Sequence, residues 1–260
     1  MSIESINSLG SNFSSISPAS ANMTSGQQIN RAADNPSGLA VATGLKQDAI
    51  RDSAGLRNAN DGISLLQTAE SGSRSITANI QRMMELSLQS MNGTMNPAQR
   101  NTLNTEFQQM MQAIDQTTQN TKFNGMALLN AENTELSIAL GETSTTLGLP
   151  ELSLASLGLS SLNINNANNA TLALDSLQKA SSLLSDTQAL LGAQQNGLFS
   201  AGNDMATLKQ NTLESLSQII DTNYAKAASD QAREDILTKA GIMMQAQGNQ
   251  DRANVLQLIN

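Results

Sequence analysis

The chain has only four prolines, at positions 18, 36, 97 and 150. A proline inside a helix removes a hydrogen bond and clashes with the preceding turn, so wide gaps between prolines mark where long helices fit. Asp34-Asn35-Pro36 has the form of a helix start, since Asp or Asn can accept from orphan N–H groups and proline has the φ of a first helical residue. From there to Asn92 a helix of about 55–60 residues fits, on the order of 85 Å long at the α-helical rise. A compact globule cannot wrap such a helix. It requires a partner of similar length.

The partner lies beyond Pro150. Leu177, Leu184, Leu191, Leu198 and Met205 follow one another at seven-residue spacing, with Leu208, Leu216 and Ile219 extending the apolar face, and this predicts a second long helix over about 171–222. The heptad leucines are read as intramolecular core. The first long segment carries Leu45, Ala49, Leu56, Ala59, Ile63, Leu66, Ile80, Met84 and Met91 on a similar repeat, interrupted by Asp52, Glu70 and Ser73. Gly55, Gly62 and Gly72 each cost roughly 1 kcal/mol against Ala inside a helix, which predicts the close approach of a neighbouring helix.

Between the long segments, Asn96-Pro97 with Gln99 has the form of a capping box, opening a shorter helix with Leu103, Phe107, Met110, Met111 and Ile114 on one face. It ends before an Asn124-Gly125 turn. From Leu136 to Ile164, alternating apolar residues among Ser, Thr and Gly predict a β-hairpin region. The Asn-rich stretch 163–169 reads as a linker. At the chain ends, residues 3–23 carry an apolar stripe, which Pro18 is expected to kink or break, and residues 225–260 carry another through Ile236, Leu237, Ala240, Met243 and Met244. Fold class follows: mainly α, an elongated antiparallel long-helix bundle with terminal helices and a small β-hairpin region. The divisions are 1–33 and 225–260 as terminal assembly helices, 34–130 and 171–224 as the two halves of a rod, and 131–170 as hairpin and linker.

Aromatic residues make up only 2% of the 260 residues, so the core must rest on Leu, Ile, Met and Ala. A net charge of −8 argues against nucleic acid and anionic membranes as partners. With no Cys and no His, thiol nucleophiles, disulfides, Ser-His pairs and thiolate or imidazole metal sites fall away. No catalytic, cofactor or metal site is expected. Asn58-Ala59-Asn60-Asp61-Gly62 fails as a calcium loop, because with Gly62 at the sixth place Arg57 and Ala59 would stand where ligands belong. It reads instead as a helix-surface or intersubunit contact. The first residues lack the charged start and apolar core of a cleavable signal peptide, so secretion would need another export route.

Several ordered blocks are specific enough to place the chain. Ser25-Gly26, Ile29-Asn30-Arg31-Ala32-Ala33-Asp34, Gly38-Leu39-Ala40, Arg57 to Ser64, Gln67-Thr68-Ala69-Glu70 and Phe123-Asn124-Gly125 resemble the N-terminal part of bacterial flagellin. Asp221, Tyr224-Ala225, Ile236-Leu237, Ala240-Gly241 and Gln245-Ala246-Gln247 resemble its C-terminal part. A departure is Gln27-Gln28, where relatives carry a basic residue. The resemblance implies an extracellular subunit that polymerises with copies of itself into the flagellar filament. It also implies export through the type III apparatus with a chaperone, and contact with the filament cap and hook-associated proteins. Ile3, Ile6, Leu9, Phe13, Ile16, Val255, Leu256 and Leu258 would be assembly contacts. Gln81, Arg82, Glu85, Leu86, Gln89, Ser90 and Asn92 resemble the segment recognised by Toll-like receptor 5, with Arg82, Leu86 and Gln89 expected on one helix face. A hook-filament junction protein of the same architecture, or a secreted effector or adhesin that does not polymerise, is the alternative.

Overall fold

A computed structural model describes residues 18–130 and 135–259, with side chains as far as residue 250. Ile3, Ile6, Leu9, Phe13 and Ile16 lie outside the described residues. Val255, Leu256 and Leu258 fall where only the helical backbone is described. The elements are α1 (Pro18–Ser25), α2 (Pro36–Met91), α3 (Pro97–Asn120), β1 (Lys122–Phe123), β2 (Met126–Ala127), β3 (Glu135–Leu140), β4 (Thr143–Gly148), α4 (Ala167–Ile220) and α5 (Tyr224–Ile259). They form two compact units, one of residues 50–209 and one joining 18–49 to 210–259.

In the unit 50–209, α2 and α4 run antiparallel. Gly202 lies against Leu56 and Ala59, and Leu198 against Gly62; further along α2, Gln195 donates to Glu70 at 3.0 Å and Gln188 to Thr77 at 3.1 Å. Leu177, Leu184, Leu191 and Leu198 are all buried, as the heptad spacing predicts, in one core with Leu66, Ile76, Ile80, Met83, Leu86, Phe107 and Ile114. The capping box at α3 is present: Asn96 Oδ1 accepts from Gln99 N at 2.9 Å, and Gln99 Oε1 accepts from Asn96 N at 3.0 Å. Asn124 and Gly125, at φ 50° and 83°, turn the chain between β1 and β2 with two left-handed residues, the geometry that suits a tight hairpin.

The middle region departs from its sequence reading. Only 135–148 is a hairpin, with Glu135 opposite Gly148 and Leu140 opposite Thr143. Beyond Pro150 the chain lies along α3, whose side chains take up its backbone polar groups: Thr118 Oγ1 donates to Leu152 O at 3.1 Å, Gln108 Nε2 to Leu162 O at 3.0 Å, and Asn104 Oδ1 accepts from Ile164 N at 2.9 Å. This lets Leu149, Leu152, Leu157, Leu159 and Ile164 be buried without strand pairing. Nor are residues 163–169 a linker. Asn163 accepts from Asn169, and Asn166 Oδ1 accepts from Asn169 N at 2.8 Å, an N-cap that starts α4 at Ala167.

The helix glycines of α2 do mark close approaches: Gly62 meets Leu198 of α4 and Ile138 of the hairpin, Gly55 meets Met205 of α4 as well as the β3–β4 turn, and Gly72 alone of the three has no α4 side chain among its nearest neighbours. A Cβ at Gly55 would lie 2.7 Å from the backbone N of Gly141 in the β3–β4 turn, and one at Gly72 would meet Thr121 and Leu129. Since the Gly141 backbone cannot step aside as a side chain can, Gly55→Ala is expected to destabilise this unit by about 1–3 kcal/mol. Gly192→Ala, with open space around it, is expected to stabilise by up to about 1 kcal/mol. Thermal melts of the two variants check this; a Gly55→Ala protein that melts above the parent would remove the close contact from the argument.

In the other unit, Asn35 Oδ1 accepts from Gly38 N at 2.9 Å and caps α2, with Pro36 as its first helical residue. Asp34 Oδ2 accepts from the backbone N of Asn30 and Arg31 and holds the preceding turn. Gln27 bridges Asp221, and Gln28 donates to Ile220 O through its backbone and to Ile219 O through its side chain, both at 2.7 Å. So the two glutamines that depart from the family pattern tie the chain to the end of α4, around a small core of Ile29, Ala42, Leu216 and Ile220. Pro18 does not kink a described helix: it is the first residue of α1, where a missing N–H costs nothing. Tyr224 Oη donates to Met23 O at 3.2 Å, joining α1 to α5.

Candidate functional site

Two surfaces carry the residues that the sequence singles out for contact with other molecules. On α2, the segment from Gln81 to Asn92 turns one side to α3 and the core. Arg82 is held by two carboxylates: Nε and Nη2 donate to Glu106 Oε1 at 2.8 and 2.6 Å, and Nη1 to Glu85 at 2.9 Å. These bonds, Glu106 first, raise the Arg82 pKa above its ordinary value and keep it charged. All three groups are solvent-exposed to a good degree, so the cluster orients the guanidinium more than it stabilises the fold.

The expected shared face of Arg82, Leu86 and Gln89 is not formed. Leu86 and Ser90 are both 0% exposed: Leu86 belongs to the core, and Ser90 Oγ donates to Ile164 O at 2.6 Å. The apolar group that does stand out is Leu88, 56% exposed, on the same side of the helix as Gln81, Glu85 and Asn92 by helical spacing. Gln81, Arg82, Glu85, Gln89 and Asn92 are exposed. The end of α2 is fixed by Arg100, which donates to Ser90 O at 2.9 Å and Asn92 O at 3.1 Å, satisfying carbonyls that a helix C-terminus leaves open. Asn92 Oδ1 accepts from the backbone N and hydroxyl of Thr94. Lower on α2, Asn58 Nδ2 donates to Ala139 O at 2.9 Å, so this part of the Arg57–Gly62 block holds the chain's own hairpin. The Glu70 carboxyl is held below the usual carboxylate range, first by the Gln195 amide and then by Arg74.

The second surface is on α5. Ile236, Leu237, Ile242, Met243 and Met244 are exposed, with no covering group among the described residues. Ile236, Ala240 and Met243 are four and three residues apart, and Leu237 and Met244 seven, so these five side chains share one face. No helix among the described residues is long and apolar enough to cross a membrane.

Comparison with known proteins gives a consistent result. Residues 1–134 match the bacterial flagellin N-terminal helical region, and residues 174–259 its C-terminal helical region. A flagellin of Halalkalibacterium halodurans is 33% identical over 258 residues, covering 96% of this chain and 94% of that protein. Phase 1 flagellin of Salmonella naestved is 35% identical over 174 residues, which is 66% of this chain and 34% of the longer relative. The crystal structure of Bacillus cereus flagellin superposes with a TM-score of 0.52 at 29% identity, covering 57% of this chain and 88% of that one. A flagellar hook-associated protein structure from Vibrio parahaemolyticus gives a TM-score of 0.61, covering 72% of this chain and all of that one. At 12% identity, that likeness shows the fold alone.

Proposed function

The chain belongs to the bacterial flagellin family and is a structural subunit of the flagellar filament, and from that premise we propose that its terminal helices form the inner tube while the unit 50–209 forms the surrounding shell. The observation that carries this division is the contrast between the two: the unit 50–209 buries its heptad leucines within itself, whereas α5 leaves Ile236, Leu237, Met243 and Met244 bare. Copies of the same chain are the partner able to cover such a stripe at every level of a filament, through a head-to-tail interface that does not close. Ile3, Ile6, Leu9, Phe13, Ile16, Val255, Leu256 and Leu258 extend the same contact. The subunit leaves the cell through the flagellar type III apparatus, escorted by a chaperone, and adds beneath the cap onto hook-associated proteins. Salting out concentrated full-length chain and imaging it by electron microscopy tests the reading. Filaments are expected; their absence from intact chain favours a junction protein or a non-polymerising secreted one.

A second reading concerns the monomer. The exposed side of α2 with Gln81, Arg82, Glu85, Leu88, Gln89 and Asn92 supplies a cation, a carboxylate, amides and one bare leucine, a combination suited to recognition by Toll-like receptor 5. Leu88→Ala is expected to lower activation of receptor-bearing cells severalfold while leaving the melting temperature unchanged. Leu86→Ala should instead lower the melting temperature, because it removes core. Equal activation by parent and Leu88→Ala protein would exclude this face.

A further inference from the structure

The chain has twelve methionines and no cysteine, so its oxidisable sulfur is all thioether. The fold sorts these sulfurs sharply. Met83 and Met111 are buried, Met84, Met91, Met110 and Met126 pack against the same core, and Met205 lies over Gly55 and Gly141. Met23 and Met95 are partly buried. Met243 and Met244, at 71% and 77%, are more exposed than any other large hydrophobic residue among those described, and they sit side by side on the apolar face of α5 with Ile236, Leu237 and Ala240.

We propose that Met243 and Met244 are a peroxide-sensitive gate on assembly: oxidation of the free subunit at these two sulfurs blocks its entry into the filament. The proposal rests on the reading of α5 as a contact between copies of the chain. A thioether lone pair attacks one oxygen of hydrogen peroxide; the S–O bond forms as the O–O bond breaks, sulfur gives up two electrons, and the peroxide is reduced to water. The sulfoxide carries a strong acceptor oxygen, and burying it against an apolar neighbour without a donor is costly. Two sulfoxides on consecutive residues would place that cost directly on the stripe. Once a subunit is incorporated the same sulfurs are covered, so the gate acts before assembly and spares finished filament. Methionine sulfoxide is reducible enzymatically, which makes the block reversible.

The test uses full-length chain. Monomer is treated with hydrogen peroxide, the added oxygens are located by peptide mass mapping, and the critical concentration for polymerisation is measured by sedimentation. Oxygen is expected first on Met243 and Met244, with the critical concentration raised about tenfold or more, a change equivalent to about 1.4 kcal/mol per tenfold. Methionine sulfoxide reductases should restore assembly, and filaments treated after polymerisation should resist oxidation at these positions. A Met243→Leu/Met244→Leu variant keeps an apolar side chain at both positions and has no sulfur there to oxidise, so its own critical concentration, whatever its value before treatment, should not move after peroxide. Oxygen appearing first on other methionines, an unchanged critical concentration, or equal peroxide sensitivity in the double-leucine variant overturns the proposal. If untreated parent chain fails to polymerise, the filament-contact reading falls and the gate with it; if it polymerises and peroxide has no effect, only the gate falls.

Discussion

Deleting residues 225–260 is expected to abolish filament growth while leaving the unit 50–209 folded. Every residue of that unit's core lies outside the deleted segment, and the ends of α2 and α4 in the other unit keep the pairing of Gln27 and Gln28 with 219–221. What disappears is α5 beyond Tyr224, whose contribution within the described chain is small: Ala227 is buried, but its apolar face is bare, and Tyr224, which holds α1, is kept. Hiding each of Ile236, Leu237, Met243 and Met244 in a neighbour contributes about 1.5–3 kcal/mol. Together that is on the order of 10 kcal/mol per subunit before the loss of rigid-body freedom is subtracted. At a factor of ten per 1.4 kcal/mol, losing it moves the critical concentration far beyond any attainable one. Electron microscopy and a circular-dichroism melt check both halves of the expectation. Filaments from the truncated chain would remove α5 from the assembly interface, and loss of the main thermal transition would mean that α5 supports the fold itself.

Proline spacing and heptads made the helices legible because both act locally: a missing N–H and a seven-residue apolar repeat need no knowledge of the partner. The start of α4 was missed by a few residues for an equally local reason. The run 163–169 holds several asparagines, each able to cap, and composition does not say that Asn166 is the one whose side chain meets the N–H of Asn169. The exposed face of α2 was harder to place. Its buried stripe runs through Ile76, Ile80, Met83 and Leu86 and takes in the polar Ser87 and Ser90, so buried and exposed positions are not separated by polarity there. The two serines can be buried because Ser87 donates to Met83 O and Ser90 to Ile164 O. Spacing alone puts Leu86 beside Arg82 and Gln89, but its three-residue step from Met83 carries it into the core. Arg82 paired with Glu106, and Gly55 with the Gly141 turn, are contacts between distant segments that no spacing rule reaches. The boundaries of the two compact units, at 49/50 and 209/210, fall inside continuous helices, where no turn residue marks them.

Phe107→Ala should be among the most destabilising single substitutions available in this chain. Large aromatic side chains ordinarily share the work of filling a core, but this chain has four phenylalanines and one tyrosine in 260 residues, and Phe107 alone among its described aromatics is fully buried. It projects from α3 into the core that also holds Met83, Leu86 and Ile114. Truncation there removes transfer energy and leaves a cavity that neighbours anchored on long helices cannot easily close, at a cost of about 3–5 kcal/mol. For a unit of this size that lowers the melting temperature by on the order of 10 °C. Phe199 is the matched control: it is 64% exposed, next in sequence to buried Leu198, so Phe199→Ala should stay within about 0.5 kcal/mol of the parent. Because α5 is untouched, Phe107→Ala protein should still polymerise below its lowered transition and lose that ability above it. Equal melting temperatures for the two alanine variants would show that the leucines and methionines, rather than Phe107, fill the centre of this core.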